Sequence, residues 1–443
     1  MISTKYGKIE GVDKEKCTIY MGVPFAKAPL GELMFKHPLK PDPWDDVLKA
    51  DHGSANPIQA NSFAGTANID LDCLYMNLFV PKNIETPAPV MVWIYGGSYS
   101  HGGAGSDKIG SKDTKDLHYD LERFAVETKT IVVSFNYRVN LYGFLNLHFI
   151  DPEYDQNNGL YDQLMALQFV HETIEDFGGD RNNITLFGQS AGAACILALM
   201  QMEDAKGLFH KVIIQSACIE HFFSEEESHR HTEKYLKILG IRDPDELRSL
   251  TPERVIEGNK KYESWLLRTG DVRCGFSPTI DGVTLKQEPK EAVKSCTLPM
   301  MIGNVSQEGN LFTSRLKTVF LPFIALLFKL KVKSGDESYR QRASNAVTDH
   351  IYIRPQMEII KDYQGTLWHY EYRYPIPGDP RGCYHACELP VLFSQSSKMG
   401  NVDDATSEQV GTEMREIWSR FAYEGDPGWE QGLPGMILPS ICR

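Results

Sequence analysis

Three residue types that together can move an acyl group occur in a fixed order along this chain of 443 residues. Ser190 lies in Gly188-Gln189-Ser190-Ala191-Gly192, Glu308 in Ser306-Gln307-Glu308-Gly309, and His385 in Cys383-Tyr384-His385-Ala386-Cys387. A serine hydroxyl is a weak nucleophile. It needs a base to take its proton, an acid to orient that base, and N–H donors for the oxyanion that develops. The serine sits between an apolar run, Ile184-Thr185-Leu186-Phe187, and a small-residue run, Ala193-Ala194-Cys195. That order predicts strand, sharp turn and helix, with the hydroxyl held out on strained backbone. The flanking glycines avoid a Cβ collision, and the helix aims its free N–H groups at the same spot. An ordinary Gly/Ser turn fits the same five residues, so the reading depends on the other parts.

Those parts fall where strands are expected to end. Tyr95-Gly96-Gly97-Ser98 follows Val90-Met91-Val92-Trp93-Ile94 and offers backbone N–H groups from Gly97 and Ser98. Ala191, next to the serine, offers a third. A phosphate loop is the competing reading, but Gly-Lys-[Ser/Thr] is absent. His101 to Ser106 reads as a mobile rim loop. Glu308 follows the apolar run Leu298 to Ile302, and His385 follows Thr366 to Tyr372 after a Pro/Gly loop. Taken separately, each also fits a solvated loop residue. A metal site on Cys383, His385 and Cys387 is the competing reading, but the spacing is not a C-x-x-C pair.

Further apolar, β-branched runs, 130–135 and 211–215, also end at turns, and near-continuous apolar strands predict a sheet covered on both faces. Leu160 to Phe177 has helical periodicity and stops at Gly178-Gly179. The alternation predicts an α/β architecture in one domain over 1–443, with helical insertions near 220–270 and 311–350 and an atypical tail at 430–443. A net charge of −13 argues against nucleic acid and anionic membranes as partners. No apolar stretch is long enough to cross a bilayer, so no stable membrane insertion is expected. Nine cysteines without a C-x-x-C pair, and no secretory signal in the sequence, predict free thiols in a cytoplasmic protein.

Read together, the segments resemble the type-B carboxylesterase family, α/β-hydrolases that include the cholinesterases. The likeness rests on Gly22-Val23-Pro24-Phe25-Ala26, Asp72-Cys73-Leu74-Tyr75-Met76-Asn77 and Tyr95-Gly96-Gly97. It continues through Asn136-Tyr137-Arg138, Asn158-Gly159-Leu160-Tyr161-Asp162-Gln163 and Phe177-Gly178-Gly179-Asp180 to the serine turn. Glu308-Gly309 and His385-Ala386-Cys387-Glu388-Leu389-Pro390 complete it. The resemblance implies an α/β-hydrolase fold with Ser190 as nucleophile, Glu308 as acid and His385 as base. It also implies oxyanion donors at Gly97, Ser98 and Ala191, a small-molecule ester substrate, and no cofactor.

The departures narrow the reading. Ser98 stands where a third glycine is usual, and Met34 where an arginine is usual, which implies the loss of an ion pair. Cys73 matches half of a disulfide of secreted members, with no partner near Asn56-Pro57. Gln189 replaces the glutamate of cholinesterases, and the segment from Asn56 to Asp72 has no tryptophan to hold a quaternary ammonium, which argues against choline esters. Short- to medium-chain esters are the expected substrates. Leu311-Phe312 and Val319 to Leu330 would cap an acyl pocket or form a core helix. A non-catalytic binding protein on the same fold, and an amidase or thioesterase with the same triad, are the alternative readings.

Overall fold

The computed structural model describes residues 1–60, 68–105, 119–269, 273–314, 316–327, 329–396, 399–431 and 436–438. Its frame is one large twisted sheet. In chain order the strands are β1 (Ile2–Thr4), β2 (Gly7–Asp13), β3 (Cys17–Pro24), β4 (Tyr75–Pro81), β5 (Ala88–Ile94) and β6 (Ile131–Phe135). Then come β7 (Gly179–Gln189), β8 (Lys211–Gln215), β9 (Met300–Val305), β10 (Leu367–Tyr372) and β11 (Met436–Leu438). The spatial order is β1-β2-β3-β4-β6-β5-β7-β8-β9-β10-β11, with Leu48–Ala50 paired to β2 off this path. Pairing is antiparallel from β1 through the β4–β6 pair and parallel from β6 onward.

The parallel half matches the expected apolar runs. All seven residues of β5 and all five of β6 and β8 are buried, as strands covered on both faces must be. β7 starts earlier than the sequence suggests, because Gly179 already pairs with Ala88 and the register then shifts before Ile184. The residues between, Asp180-Arg181-Asn182-Asn183, carry no β-branched side chain, so periodicity shows the strand only from Ile184.

The covering helices are α1 (Leu121–Thr128), α2 (Asn158–Thr173), α3 (Ala191–Leu199), α4 (Glu225–Leu239) and α5 (Pro252–Thr269). They continue with α6 (Asn310–Ser314), α7 (Leu321–Leu327), α8 (Tyr339–Val347), α9 (Glu388–Leu392) and α10 (Ala405–Glu424). α2 runs on through a 3₁₀ turn to Phe177 and is closed by Gly178 at φ 86°, the left-handed cap the Gly-Gly pair predicts. α4 begins with a capping box between Ser224 and Glu227. α4 and α5 fall between 225 and 269, and α6, α7 and α8 between 310 and 347. Of the tail, Met436–Leu438 adds a strand beside β10. No helix among the described residues is long and apolar enough to cross a membrane.

From β5 the chain passes to β6 on one side and returns to β7 on the other. The carboxyl ends of β5 and β7 therefore flank a switch point, where open α/β sheets leave a crevice. A buried ion pair joins the segment after β6 to α2. Arg138 donates from its backbone N (2.9 Å), Nε (2.8 Å) and Nη2 (2.6 Å) to the Asp162 carboxylate, and from Nη1 to Met34 O (3.1 Å). Met34 thus keeps a link to this cluster through its carbonyl. Cys73, beside it, is buried and unbridged.

Asp162→Ala leaves the Arg138 guanidinium buried without its counter-charge. The expected loss is about 3–5 kcal/mol of unfolding free energy, read by urea denaturation followed by circular dichroism.

Candidate active site

Ser190 stands where β7 ends and α3 begins. Its φ of 57° and ψ of −125° are strained values for a residue with a side chain. The strain is held by packing: Ser190 N donates to Gln215 O (2.9 Å) on β8, and Ala194 N to Ser190 O (3.0 Å). A Cβ on Gly192 would lie 2.2 Å from Ile94 O and 2.4 Å from Tyr95 O. The first turn of α3 therefore touches the end of β5, and only glycine permits it.

The loop after β5 reaches the serine directly, since a Cβ on Gly96 would lie 3.0 Å from Ser190 Cβ. Gly97 has φ 124°, and a Cβ there would meet His101 O at 2.1 Å. Ser98 and Tyr99 follow at φ 55° and 57°. Among the described residues, no acceptor engages the N–H groups of Gly97 and Ser98. Ala191 opens α3, so its N–H has no acceptor within the helix. Ala191 adjoins Ser190 in the chain, and the loop that carries Gly97 and Ser98 meets the serine at Gly96.

Of the expected rim loop, residues 101–105 are tied to their neighbours by hydrogen bonds, and Ser106 lies outside the described residues. Gly102 N donates to Gln59 Oε1 (2.8 Å) and Gln59 Nε2 to Gly102 O (2.6 Å). Ala104 N donates to Asn136 Oδ1 (2.8 Å), and Ser134 Oγ to Ala104 O (2.7 Å). Backbone polar groups buried this way need such partners, and side chains from distant segments supply them.

Glu308 and His385 come together at the carboxyl ends of β9 and β10. Glu308 is fully buried. Its Oε1 accepts from Val305 N (3.0 Å), and its Oε2 accepts from His385 Nδ1 at 2.5 Å. That bond assigns the proton to Nδ1 and leaves Nε2 as an acceptor. Nε2 faces the serine turn, where Gln189 Nε2 donates to it at 3.2 Å. Ser190 Oγ lies 3.6 Å from Cys218 Sγ. The structure brings Glu308 and His385 into contact and turns His385 toward the serine turn, but in this arrangement serine and histidine each face another partner.

Sequence reading missed those partners. Cys218 follows β8 by three residues, so the strand-end rule that finds Glu308 would also have found it. Burial pushes its thiol up to about 11, which leaves it neutral beside Ser190 near pH 7. Tyr352, whose ring lies 5.0 Å from that of His385, comes from a π-helical turn, Thr348–Ile353, that no local pattern announces. Phe312 lies 5.7 Å from the same ring and is partly exposed. Glu388 is buried three residues after His385. Burial, then the charge of Glu308, pushes its carboxyl well above the usual range, so it does not compete for the imidazole as an anion.

The carboxylesterase family pattern matches residues 1–322. The chain is 31% identical to the para-nitrobenzyl esterase of Bacillus subtilis over 97% of this chain and 91% of that protein. It is 28% identical to the crystal protein of Dictyostelium discoideum, over 97% of this chain and 82% of that one. Among solved structures, a thermophilic PNB esterase superposes with a TM-score of 0.83 at 28% identity, covering 97% of this chain and 92% of the other. A carboxylesterase of Geobacillus stearothermophilus gives a TM-score of 0.82 at 27% identity, covering 99% and 95%.

Gly192→Ala drives a methyl group into the β5 carbonyls. We expect a stability loss of about 1–3 kcal/mol, seen as a lower urea midpoint, because the backbone on both sides has no free space to yield.

Proposed function

The chain belongs to the carboxylesterase family of serine hydrolases of carboxylic esters, with an α/β-hydrolase fold, and we propose that Ser190, His385 and Glu308 carry its chemistry. The observation that carries this reading is the buried Glu308–His385 bond of 2.5 Å, with the second imidazole nitrogen turned to the serine turn. Buried carboxyl groups without such a partner are costly, so this pair is built for a role beyond packing.

In the proposed cycle an ester carbonyl settles against the N–H groups of Gly97, Ser98 and Ala191. The Ser190 hydroxyl turns about its Cα–Cβ bond from Cys218 to His385 Nε2, and the Gln189 amide yields that nitrogen. Oγ attacks the carbonyl carbon as Nε2 takes its proton, and the oxyanion is held by the three N–H groups. Glu308 keeps the imidazole in the Nδ1–H tautomer and stabilises its charge. The intermediate collapses, His385 gives the proton to the leaving alkoxide, and an alcohol departs. Water then attacks the acyl-enzyme with His385 again as base, which releases the acid and restores Ser190. Long contacts before substrate arrives are compatible with this, since such bonds tighten in the loaded enzyme.

The walls support a substrate class. The Cys218 thiol and the rings of Tyr352 and Phe312 stand close to the reacting atoms, which favours apolar acyl groups of short to medium length. Gln189 places no negative charge beside the serine, which supports neutral esters over cationic ones.

Ser190→Ala is expected to lower hydrolysis of a small aryl ester by about 10⁴-fold or more, and Glu308→Gln by about 10⁴-fold, with unfolding midpoints retained for Ser190→Ala. Turnover that survives in Ser190→Ala, or an organophosphonate probe that labels another residue, sinks the assignment. Across aryl esters from acetyl to hexadecanoyl, kcat/KM is expected to peak at short to medium chains and fall at least tenfold at the longest. A flat or rising series would overturn the acyl-length reading.

A further inference from the structure

Between Glu308 and Asp336 the sequence holds no acidic residue, yet it carries Arg315, Lys317, Lys329, Lys331 and Lys333. This run lies in a chain whose net charge is −13. Leu321 and Ala325 in this run are buried, but four other apolar side chains are not. Val319 is 75% exposed, Phe320 55%, Phe323 64% and Leu326 78%. For these four side chains the core-helix reading therefore fails. Other large exposed apolar side chains among the described residues are scattered along the chain, whereas these four fall within eight positions. Neighbouring exposed apolar groups of this size mark a contact surface. Among the described residues, Lys317, Lys329, Lys331 and Lys333 form no ion pair.

Charge decides what covers the patch. A second copy meeting it about a two-fold axis would bring like-charged lysines together at the rim, which opposes association. An anionic lipid surface satisfies both chemistries. Apolar side chains enter the boundary between headgroups and acyl chains, and lysine stems follow them while the ammonium groups stay at the phosphates. The negative average of the chain does not prevent this, because charges more than about 8 Å away are screened at physiological salt.

The patch is also connected to the site. α7, which carries Phe323 and Leu326, packs on α8, and α8 packs on α6. α6 carries Phe312, whose ring lies 5.7 Å from that of His385. We infer that residues 317–327 and 329–333 dock this protein peripherally on an anionic phospholipid surface, and that its substrates are amphiphilic esters held in that surface. The docking stands on the patch itself; the substrate assignment rests on the proposed esterase chemistry.

The test is co-sedimentation of the full chain with sucrose-loaded vesicles of phosphatidylglycerol and phosphatidylcholine, against vesicles of phosphatidylcholine alone. Binding is expected for the anionic vesicles, at least tenfold tighter than for the neutral ones. Lys317→Glu with Lys331→Glu, and separately Phe320→Ser with Phe323→Ser, should each weaken it at least tenfold, since each lysine near such a surface contributes about fivefold. Absence of binding, equal binding to neutral vesicles, or binding unchanged in both variants overturns the inference. So does a dimer in gel filtration that Phe320→Ser with Phe323→Ser splits while the vesicles stay unbound. Hydrolysis of a soluble aryl ester in vesicle-free buffer reads the chemistry separately and should be equal in wild type and the lysine variant. If the wild type binds vesicles but hydrolyses no ester, the docking stands and the ester assignment fails. A circular dichroism melt of each variant confirms its fold.

Discussion

The site depends on a single close backbone approach, that of the first turn of α3 to the carbonyls of Ile94 and Tyr95. A Cβ at Gly192 would come within 2.2 Å of the first of these, so the turn and the strand end share space that only glycine leaves open. That contact exists because β5 and β7 are neighbours in a parallel sheet, and it fixes where Ser190 can stand. The strained φ at Ser190 is one consequence, and the positive φ values at Ser98 and Tyr99 across the crevice are another. Each stores strain of order 1–3 kcal/mol, and the rigid sheet beneath over-determines them.

Around that frame the electrostatics are arranged by burial. Glu308 is enclosed and finds two donors, Val305 N–H and the His385 ring. Glu388, equally enclosed, is pushed toward its neutral form, and Cys218 remains a thiol. Glu308 therefore faces the imidazole from behind, and Gln189 with the Cys218 thiol lies on the side of the serine turn. This division suits a histidine that must gain and lose a proton within each turnover, because the charge that stabilises the imidazolium is fixed and not shared.

The surface obeys a different rule from the core. Net charge is a sum over the chain, but a docking patch acts over only a screening length. The acidic average argued against anionic membranes, yet the stretch from 309 to 335 carries five basic residues and no acid. Val319, Phe320, Phe323 and Leu326 face solvent while Leu321 and Ala325 are buried, which periodicity alone did not distinguish from a core helix. The side a short apolar segment turns inward is set by what packs on it, here α8, and not by its own pattern.

The sequence by itself determined the order of the candidate site residues. Gly188 to Gly192, the Gly96-Gly97 loop, Glu308 and His385 each follow an apolar run, and a strand-end position is a local property of the chain. It also determined most strands and the stop of α2 at Gly178, since burial on both faces and a left-handed cap leave signatures within a few residues. Only the tertiary structure decided what those residues touch. The Gln189 amide on His385, the Cys218 thiol beside Ser190, the Tyr352 ring, and the tethering of 101–105 by Gln59 and Asn136 join positions 28 to 196 apart, or bring in a turn with no local signal. Sequence periodicity reports which face of an element is buried. It carries no record of which distant side chain fills the space opposite, because that is fixed by sheet order and packing once the whole chain has closed.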